Sequence, residues 1–200
     1  MVWRYKDIRE VTEEEYAAYY AGTDPHKRAR LEKTRQRKDR YRTVVADRMA
    51  REMLAEVLCL APEEVPFAYE EGGRPYVPGS PYRFSISHSE NMVAVAVHTA
   101  DVGIDVERIR EAPMAMARRY FCAEENLYLF GHEPKDADFT SVASPDVLLR
   151  FFEIWTGKEA FLKSQGRGLT HLRSVNTRLI PFERHLLDGD YLLTVYTAKD

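Results

Sequence analysis

The sequence predicts an α+β protein, because strand patterns and capped helix patterns occupy separate stretches of its 200 residues. Three neighbouring segments, 82–89, 92–98 and 102–107, show the alternation or the enrichment in valine and alanine that is typical of strands. Helix start signals lie on both sides of these segments. With 44% hydrophobic residues, the chain is long enough to bury a core, either as one domain or as two small fused halves.

The N-terminal part begins with a predicted strand and two helix starts. Residues 2–9 alternate loosely between apolar and polar positions, as in a strand. Thr12 and Glu15 have the spacing of a capping box, and Asp24 followed by Pro25 provides an N-cap and a first-turn proline. We therefore expect a strand followed by two helices.

The stretch 22–51 is strongly basic, with eleven lysine and arginine residues against four acidic residues. Its apolar residues become regular only after Tyr41, which predicts a largely polar helix and then an amphipathic helix to about Leu60. The charge has two interpretations, a solvated helix face or a phosphate-binding patch.

Glycine and proline mark residues 61–81 as a loop, which we expect to connect two halves of the chain. The strand 82–89 ends in a Ser-His-Ser cluster, and a turn at 99–101 joins the strand 92–98 to the strand 102–107. This order predicts that the Ser-His-Ser cluster and the acidic residues of 102–107 lie on neighbouring strands of one sheet.

The acidic strand centres on Gly-Ile-Asp-Val-Glu, residues 103–107. The period of two places Asp105 and Glu107 on one face and their branched apolar neighbours on the other. Two carboxylates held side by side repel each other, so they either face water at a sheet edge or share a divalent cation. The pentapeptide alone leaves both interpretations open.

The C-terminal part carries the longest predicted helix, which starts at Ser144 and Pro145. Its apolar stripe includes one acid, Glu159. Because a buried, unpaired carboxylate is costly, we expect Lys163, one turn later, or a cation as its partner. Gly157 costs the helix about 1 kcal/mol relative to alanine, which indicates that another segment packs closely there.

Other elements are predicted around this helix from turn residues and periodicity. They are a helix at 113–120, a helical turn containing Glu124 and Glu125, a surface loop at 131–146, and two strands near 174–180 and 191–197.

Composition and charge narrow the class of protein. A formal net charge of −3 favours neither a nucleic-acid binder nor a membrane-surface protein. Cys59 and Cys122 are far apart, which predicts neither a disulfide framework nor a zinc site. The sequence shows no signal-like or bilayer-spanning apolar run, so we expect a cytoplasmic protein with reduced thiols.

Four stretches together resemble one family. Residues 103–107 and Trp-Thr-Gly-Lys-Glu-Ala-Phe-Leu-Lys at 155–163 resemble the two signature motifs of the 4'-phosphopantetheinyl transferases. Gly-Arg-Pro-Tyr at 73–76, which leads into Phe-Ser-Ile-Ser-His-Ser at 84–89, and the basic stretch 37–43 agree with the same family order. The mid-chain position of the first motif is similar to that in the larger, surfactin-synthetase-activating (Sfp-type) branch.

The resemblance implies a fold and an activity. The fold is a pseudo-dimer of two similar halves, each a small antiparallel β-sheet packed with helices, here expected at residues 1–80 and 81–200. The activity is the transfer of the 4'-phosphopantetheine arm of coenzyme A to a serine of an apo acyl or peptidyl carrier protein. It requires Mg²⁺ and releases 3',5'-ADP, and the enzyme is expected to be a monomer.

The resemblance also assigns roles to individual residues. Asp105, Glu107 and Glu159 correspond to the family's magnesium ligands, and Lys163 corresponds to a catalytic lysine near the diphosphate. Glu125 corresponds to a proposed general base, although the adjacent glutamate leaves this register open by one residue. The expected coenzyme A contacts are Ser87 and His88 for its phosphates, Arg74 beside its nucleotide, and Lys27, Arg30, Arg42 and Thr43 for its 3'-phosphate.

The segment 169–175 resembles the region that contacts the carrier protein.

Three rival functions differ in what they predict. A serine hydrolase is disfavoured because Ser87 and His88 are adjacent strand residues that point to opposite faces, and no nucleophile-elbow motif surrounds the serine. A magnesium-dependent nucleotide phosphohydrolase would use similar carboxylates, and a non-enzymatic RNA-binding module would use the basic helices.

Overall fold

The computed structural model describes residues 1–70, 74–188 and 190–199, apart from the side chains of His26, Arg30 and Leu169. It confirms the α+β prediction. The strands are β1 (Val2–Asp7), β2 (Ala68–Tyr69), β3 (Pro75–Tyr76), β4 (Arg83–Ser89), β5 (Met92–His98), β6 (Val102–Arg108), β7 (Glu183–Leu187) and β8 (Tyr191–Thr197). The α-helices are α1 (Glu13–Ala21), α2 (Pro25–Glu32), α3 (Arg37–Leu58), α4 (Ala115–Tyr120), α5 (Ala123–Phe130) and α6 (Pro145–Ser164).

The predicted helix starts are confirmed by their caps. Thr12 Oγ1 accepts a hydrogen bond from Glu15 N at 3.2 Å, and a Glu15 carboxylate oxygen accepts one from Thr12 N at 2.8 Å. Asp24 Oδ1 accepts from Lys27 N at 2.8 Å, and Ser144 caps α6. These contacts satisfy main-chain donors that have no partner within the first turn of a helix.

The first compact unit, Met1–Asp101, is built on the antiparallel sheet β1-β5-β4. The amphipathic α3 covers this sheet, as its apolar periodicity predicts. Apolar side chains of α3, β4 and β5 form one core, which includes Met49, Met53, Leu54, Phe84 and Val95.

The second compact unit, Val102–Asp200, is built on the antiparallel sheet β6-β8-β7. The apolar face of α6 lies against β6 and β8. A core that includes Met114, Phe121, Phe152, Ile154 and Leu192 joins this helix to α4, α5 and β8. Each unit therefore contains a small antiparallel sheet packed with helices.

The division between the units differs from the expected boundary at residues 80 and 81. It lies between Asp101 and Val102, because β4 and β5 complete the sheet begun by β1. The expectation that Ser87 and Asp105 lie on neighbouring strands of one sheet is wrong. Ser87 is on β4, which pairs with β5, whereas β6 pairs with the last strand, β8.

The strand predicted near residues 174–180 is also wrong. Two 3-10 turns, Leu169–Ser174 and Thr177–Leu179, occupy this part of the chain, and β7 begins only after Pro181. Side chains from α5 and α6 bind the main chain of these turns, in place of a neighbouring strand. Among the described residues, no helix is both long and apolar enough to cross a bilayer.

Candidate active site

The acidic residues meet where α6 crosses β6. A Cβ atom added to Gly103 would lie 1.8 Å from the carbonyl oxygen of Ala160 and 2.8 Å from the amide nitrogen of Ser164. The main chains of strand and helix therefore approach more closely than any side chain at this position would permit. Ala160 follows Glu159 directly, so this contact places the acid of α6 beside the acids of β6.

The carboxylates of Asp105 and Glu107 on β6 act on the carboxylate of Glu159 on α6. Asp105 is 3% exposed, and Glu107 and Glu159 are half-buried. Burial and the Asp105 carboxylate raise the pKa of Glu159 to about 7, and Glu107 adds to this rise. β6 is an edge strand, as one interpretation predicted, but the burial of Asp105 contradicts the accompanying expectation of a wet face.

Lys163 supplies the positive charge at this cluster. Its Nζ lies 2.6 Å from Oδ1 of Asp105, and its side chain is 29% exposed. Lys163 also lowers the pKa of Glu159, opposing the two carboxylates. The predicted partner of Glu159, Lys163, therefore acts on it through its charge. The short ion-pair contact of the Lys163 ammonium is with Asp105 on β6.

The donor set fits a hard divalent cation by its chemistry. In the part of the chain that the structure describes, no three His, Cys, Asp or Glu side chains are close enough together to hold a metal ion as they stand. Carboxylate oxygens are preferred ligands of Mg²⁺, which usually keeps several waters and binds only a few protein groups. Burial is the largest cause of the raised pKa of Glu159 and the neighbouring carboxylates add to it, and a bound cation would favour the charged carboxylate against both effects. Asp105, Glu107 and Glu159 are the residues that would hold it.

A cavity of about 270 Å³ opens beside Glu107. Its walls are mainly apolar and aromatic and come from the loop after β6, from α4 and from α6. They include Pro113, Met116, Phe152 and Trp155. The carboxylate cluster thus borders a space with apolar walls.

Glu125 and its neighbour occupy different environments. Glu124 is exposed, whereas Glu125 is 0% exposed and its carboxylate forms an ion pair with Lys158 at 2.7 Å. Burial lowers the pKa of Lys158, and the Glu125 carboxylate opposes this effect. Both Glu125 oxygens accept hydrogen bonds from protein donors, which favours a structural role over the predicted role of general base.

The predicted 3'-phosphate residues of the first unit carry intramolecular contacts. Lys27 Nζ lies 2.5 Å from the carboxylate of Asp47, which is buried and also accepts from Arg51 Nε at 3.0 Å. The side chain of the predicted Arg30 lies outside the described residues. Lys27 therefore balances a buried acid within the unit.

Arg42 and Thr43 lie near the start of α3. Arg42 forms an ion pair with Asp39, and its Nη1 donates to the carbonyl oxygen of Glu90 at 3.3 Å. Thr43 Oγ1 donates to the main-chain carbonyl of Asp39 at 2.8 Å. These contacts bring Arg42 to the turn between β4 and β5, two residues after His88.

The remaining predicted residues lie on β4 and directly before β3. Ser87 is 6% exposed and His88 is exposed, in agreement with their expected positions on opposite faces. Arg74 precedes β3 and lines a small depression with Arg83 and Glu70. The structure thus brings together the predicted metal ligands Asp105, Glu107 and Glu159 with Lys163. Arg42 and Thr43 lie near His88. Arg74 lies beside Arg83.

Comparisons with known proteins match both units. A family model described as 4'-phosphopantetheinyl transferase superfamily matches residues 101–196, and a model described as 4'-phosphopantetheinyl transferase, N-terminal, matches residues 10–100. The chain belongs to the 4'-phosphopantetheinyl transferase superfamily. The two models meet next to the division between the compact units, and both signature motifs lie within the first match.

Relatives in the Sfp-type branch of the superfamily are similar over most of the chain. A 4'-phosphopantetheinyl transferase of Bacillus subtilis is 30% identical over 80% of this chain and 67% of its own length. The protein psf-1 of Bacillus pumilus is 35% identical over 76% of this chain and 62% of its own length. Sfp of Bacillus subtilis strain 168 is 29% identical over 86% of this chain and 73% of its own length. The chain thus spans about two thirds of the length of these relatives.

The sequence analysis gave no role to Lys158, a buried charge of this superfamily member. Lys158 is 0% exposed. It stands four residues from both Ile154 and Leu162, which are 0% and 2% exposed, so its spacing places it on the buried face of α6. That spacing is the signal that could have identified it.

Proposed function

We propose that the protein transfers the 4'-phosphopantetheine arm of coenzyme A to a serine of an apo acyl or peptidyl carrier protein, with Mg²⁺ as cofactor and 3',5'-ADP as the second product. The observation that carries this proposal is the meeting of Asp105, Glu107 and Glu159 beside Lys163, within the segment that matches the superfamily model. A monomeric, cytoplasmic enzyme stays part of the prediction.

Mg²⁺ is proposed to be held by Asp105, Glu107 and Glu159. When bound, it supplies a positive charge for the diphosphate oxygens of coenzyme A and orients them for displacement. Catalysis of phosphoryl-type transfer relies largely on positioning and on electrostatic stabilisation of developing charge. The buried position of Asp105 supports this role, because charges interact more strongly where water is excluded.

Lys163 is proposed to contact the diphosphate. Its ammonium is only partly buried and lies on Asp105, so a short movement of its flexible side chain can place it on a phosphate oxygen. There its positive charge would stabilise the negative charge that develops on the leaving nucleotide's phosphate oxygen. The apolar cavity beside Glu107 supports binding of the pantetheine arm on the same side.

Replacing Lys163 with methionine tests this assignment. We expect kcat for carrier modification to fall by about a hundredfold, the size of the loss when one charge-stabilising donor is removed. Steady-state kinetics with intact-mass detection of the carrier would measure it, with Lys199→Met, an exposed lysine near the C-terminus, as the control. An unchanged kcat in Lys163→Met would exclude the lysine from the reaction.

Arg42 is proposed to bind the 3'-phosphate of coenzyme A, together with Thr43, Lys27 and Arg30, while Ser87, His88 and Arg74 contact the rest of the nucleotide. The exposed His88 and the position of Arg42 at the same hairpin support this assignment. The guanidinium already balances Asp39, so its net contribution comes from charge-assisted hydrogen bonds to the phosphate.

The variant Arg42→Met and two substrates test this contact. We expect KM for coenzyme A to rise by about tenfold, because a hydrogen bond to a charged group contributes a few kcal/mol at most. KM for 3'-dephospho-coenzyme A, which lacks the phosphate, should stay at the wild-type value. Equal effects on both substrates would show that Arg42 acts elsewhere.

The proposed function itself is tested with coenzyme A, Mg²⁺ and a panel of apo carriers from fatty acid, polyketide and peptide synthesis. A carrier that gains the mass of one phosphopantetheinyl group, with equimolar 3',5'-ADP, supports transfer. Release of 3',5'-ADP without a carrier would instead identify a phosphohydrolase. RNA binding with a steep salt dependence, together with no modification of any carrier, would favour the RNA-binding alternative.

A further inference from the structure

We propose that Glu125 and Lys158 are positioning residues, which anchor the segment 169–179 to the turn of α6 that contains Gly157 and Lys158. This inference rests on the proposed function only for its kinetic consequences. It replaces the role of general base that the family resemblance gives to Glu125.

The ammonium of Lys158 is completely enclosed by protein acceptors. It lies 2.7 Å from Oε2 of Glu125, donates to the carbonyl oxygen of Leu172 at 2.9 Å, and donates to the carbonyl oxygen of Val175. An ammonium has three protons to donate, and these three contacts use them all. Lys158 therefore ties two main-chain carbonyls of the segment to α6.

The carboxylate of Glu125 binds the same segment at a second point. One oxygen accepts hydrogen bonds from the amide and the hydroxyl of Thr177 at 2.8 and 2.9 Å, and the other accepts from Cys122 N at 2.9 Å. The buried pair thus connects the start of α5, the middle of α6 and both 3-10 turns.

The anchored segment packs directly on α6. A Cβ atom added to Gly157 would lie 3.2 Å from Cγ2 of Thr177, so this glycine leaves the space that the segment fills. Gly157 and Lys158 precede Glu159 in the helix. A change in how the segment lies on the helix would therefore act on the turn that carries Glu159, a proposed metal ligand.

The outer surface of the segment is basic. His171, Arg173 and Arg178 are exposed, and the sequence has no aspartate or glutamate between Ala160 and Phe182. The carrier contact that the family resemblance implies for residues 169–175 would lie on this surface. Its orientation then depends on hydrogen bonds from two buried charged groups.

The two roles of Glu125 predict different kinetics. A positioning residue alters how the carrier binds, so Glu125→Gln and Lys158→Met should each raise KM for the carrier by about tenfold or more, since a buried charge without its partner disrupts its surroundings. KM for coenzyme A should change little, and the pH profile of kcat should keep its shape. A general base predicts instead a large loss of kcat, loss of the acidic limb of the profile, and unchanged KM values.

Trypsin provides a readout that does not depend on activity. The exposed Arg167, Arg173 and Arg178 are cleavage sites that become accessible when the segment detaches from α6. We expect faster cleavage at these arginines in Glu125→Gln and in Lys158→Met than in the wild type. Resistance equal to that of the wild type in both variants would overturn the proposal.

A milder variant covers the case in which the charge variants do not fold. Thr177→Val removes only the hydroxyl donor to Glu125 and keeps the main-chain donor. It should increase both trypsin cleavage and carrier KM by several-fold, while Thr140→Val, an exposed threonine outside the segment, leaves both unchanged. Wild-type behaviour of Thr177→Val in both measurements would contradict anchoring.

Failure of this inference is distinguishable from failure of the proposed function. If the wild type modifies no carrier, the function is wrong and the trypsin experiment still decides whether the segment is anchored. If the wild type is active and Glu125→Gln loses kcat and the acidic limb with normal trypsin resistance, Glu125 is the base and the positioning role is wrong.

Discussion

Replacing Gly103 with alanine is expected to separate α6 from β6, to destabilise the second unit and to abolish transfer. The new Cβ would lie 1.8 Å from the carbonyl oxygen of Ala160 and 2.8 Å from the nitrogen of Ser164. Both atoms belong to the main chain, so rotation of a side chain cannot relieve the clash. Overpacking of this kind costs about 3 kcal/mol or more. Chemical denaturation would measure this cost as a lower free energy of unfolding than that of the wild type.

The matched control is Gly168→Ala, in the turn after α6. A Cβ atom added there meets nothing within 4 Å, and the backbone φ of −78° is one that alanine adopts readily. We expect its stability to stay within about 0.5 kcal/mol of the wild type. A Gly103→Ala variant that matched this control in stability and activity would show that the close approach of strand and helix is not required.

Glu159→Gln is expected to leave the fold intact and to abolish magnesium-dependent transfer. The substitution keeps the size of the side chain and removes one of three carboxylates that repel each other, which explains the retained stability. Loss of a metal ligand withdraws several kcal/mol of charge stabilisation, which corresponds to a fall in rate of about a thousandfold or more. Carrier modification followed by intact-mass detection, together with thermal denaturation, measures both effects.

Glu153→Gln serves as the control on the same helix. Glu153 accepts a hydrogen bond from the hydroxyl of Tyr128 at 2.5 Å, and it is not among the charged groups that shift the pKa of Glu159. It should keep nearly full activity. Wild-type rates in Glu159→Gln would refute the three-carboxylate site. If Glu159→Gln does not fold, Asp105→Asn and Glu107→Gln test the site in the same carrier assay.

Local patterns predicted much of the secondary structure, because short-range contacts determine it. The capping box of Thr12 and Glu15 and the period-two placement of Asp105 and Glu107 need only neighbouring residues. The close packing expected at Gly157 is also confirmed, since a segment from elsewhere in the chain lies against it.

Strand pairing could not be predicted, because it depends on contacts between distant parts of the chain. The pattern of β6 is compatible with β5 or with β8 as a neighbour, and the structure pairs it with β8. The turns around Leu172 and Val175 follow from the buried ammonium of Lys158, whose spacing indicates burial but not which distant carbonyl oxygens it binds. The sequence resemblance located the ligand acids, while their convergence follows from the crossing at Gly103.

The basic stretch of the first unit shows the limit of counting charges. Its excess of lysine and arginine favoured a phosphate-binding patch and a solvated face equally. In the structure, several of these cations are paired with acids from outside the stretch, including Arg37 with Glu13 and Lys38 with Glu90. The charge available to a ligand is therefore smaller than the composition indicates.

Titration with a divalent cation tests the central claim, that acids of β6 and α6 form one metal site. Mn²⁺, detected by electron paramagnetic resonance in the presence of coenzyme A, reports binding without requiring turnover. We expect one site in the wild type and in Glu153→Gln, competition by Mg²⁺, and loss of the site in Asp105→Asn, Glu107→Gln and Glu159→Gln. Equal Mn²⁺ binding by the wild type and these three variants would contradict the claim.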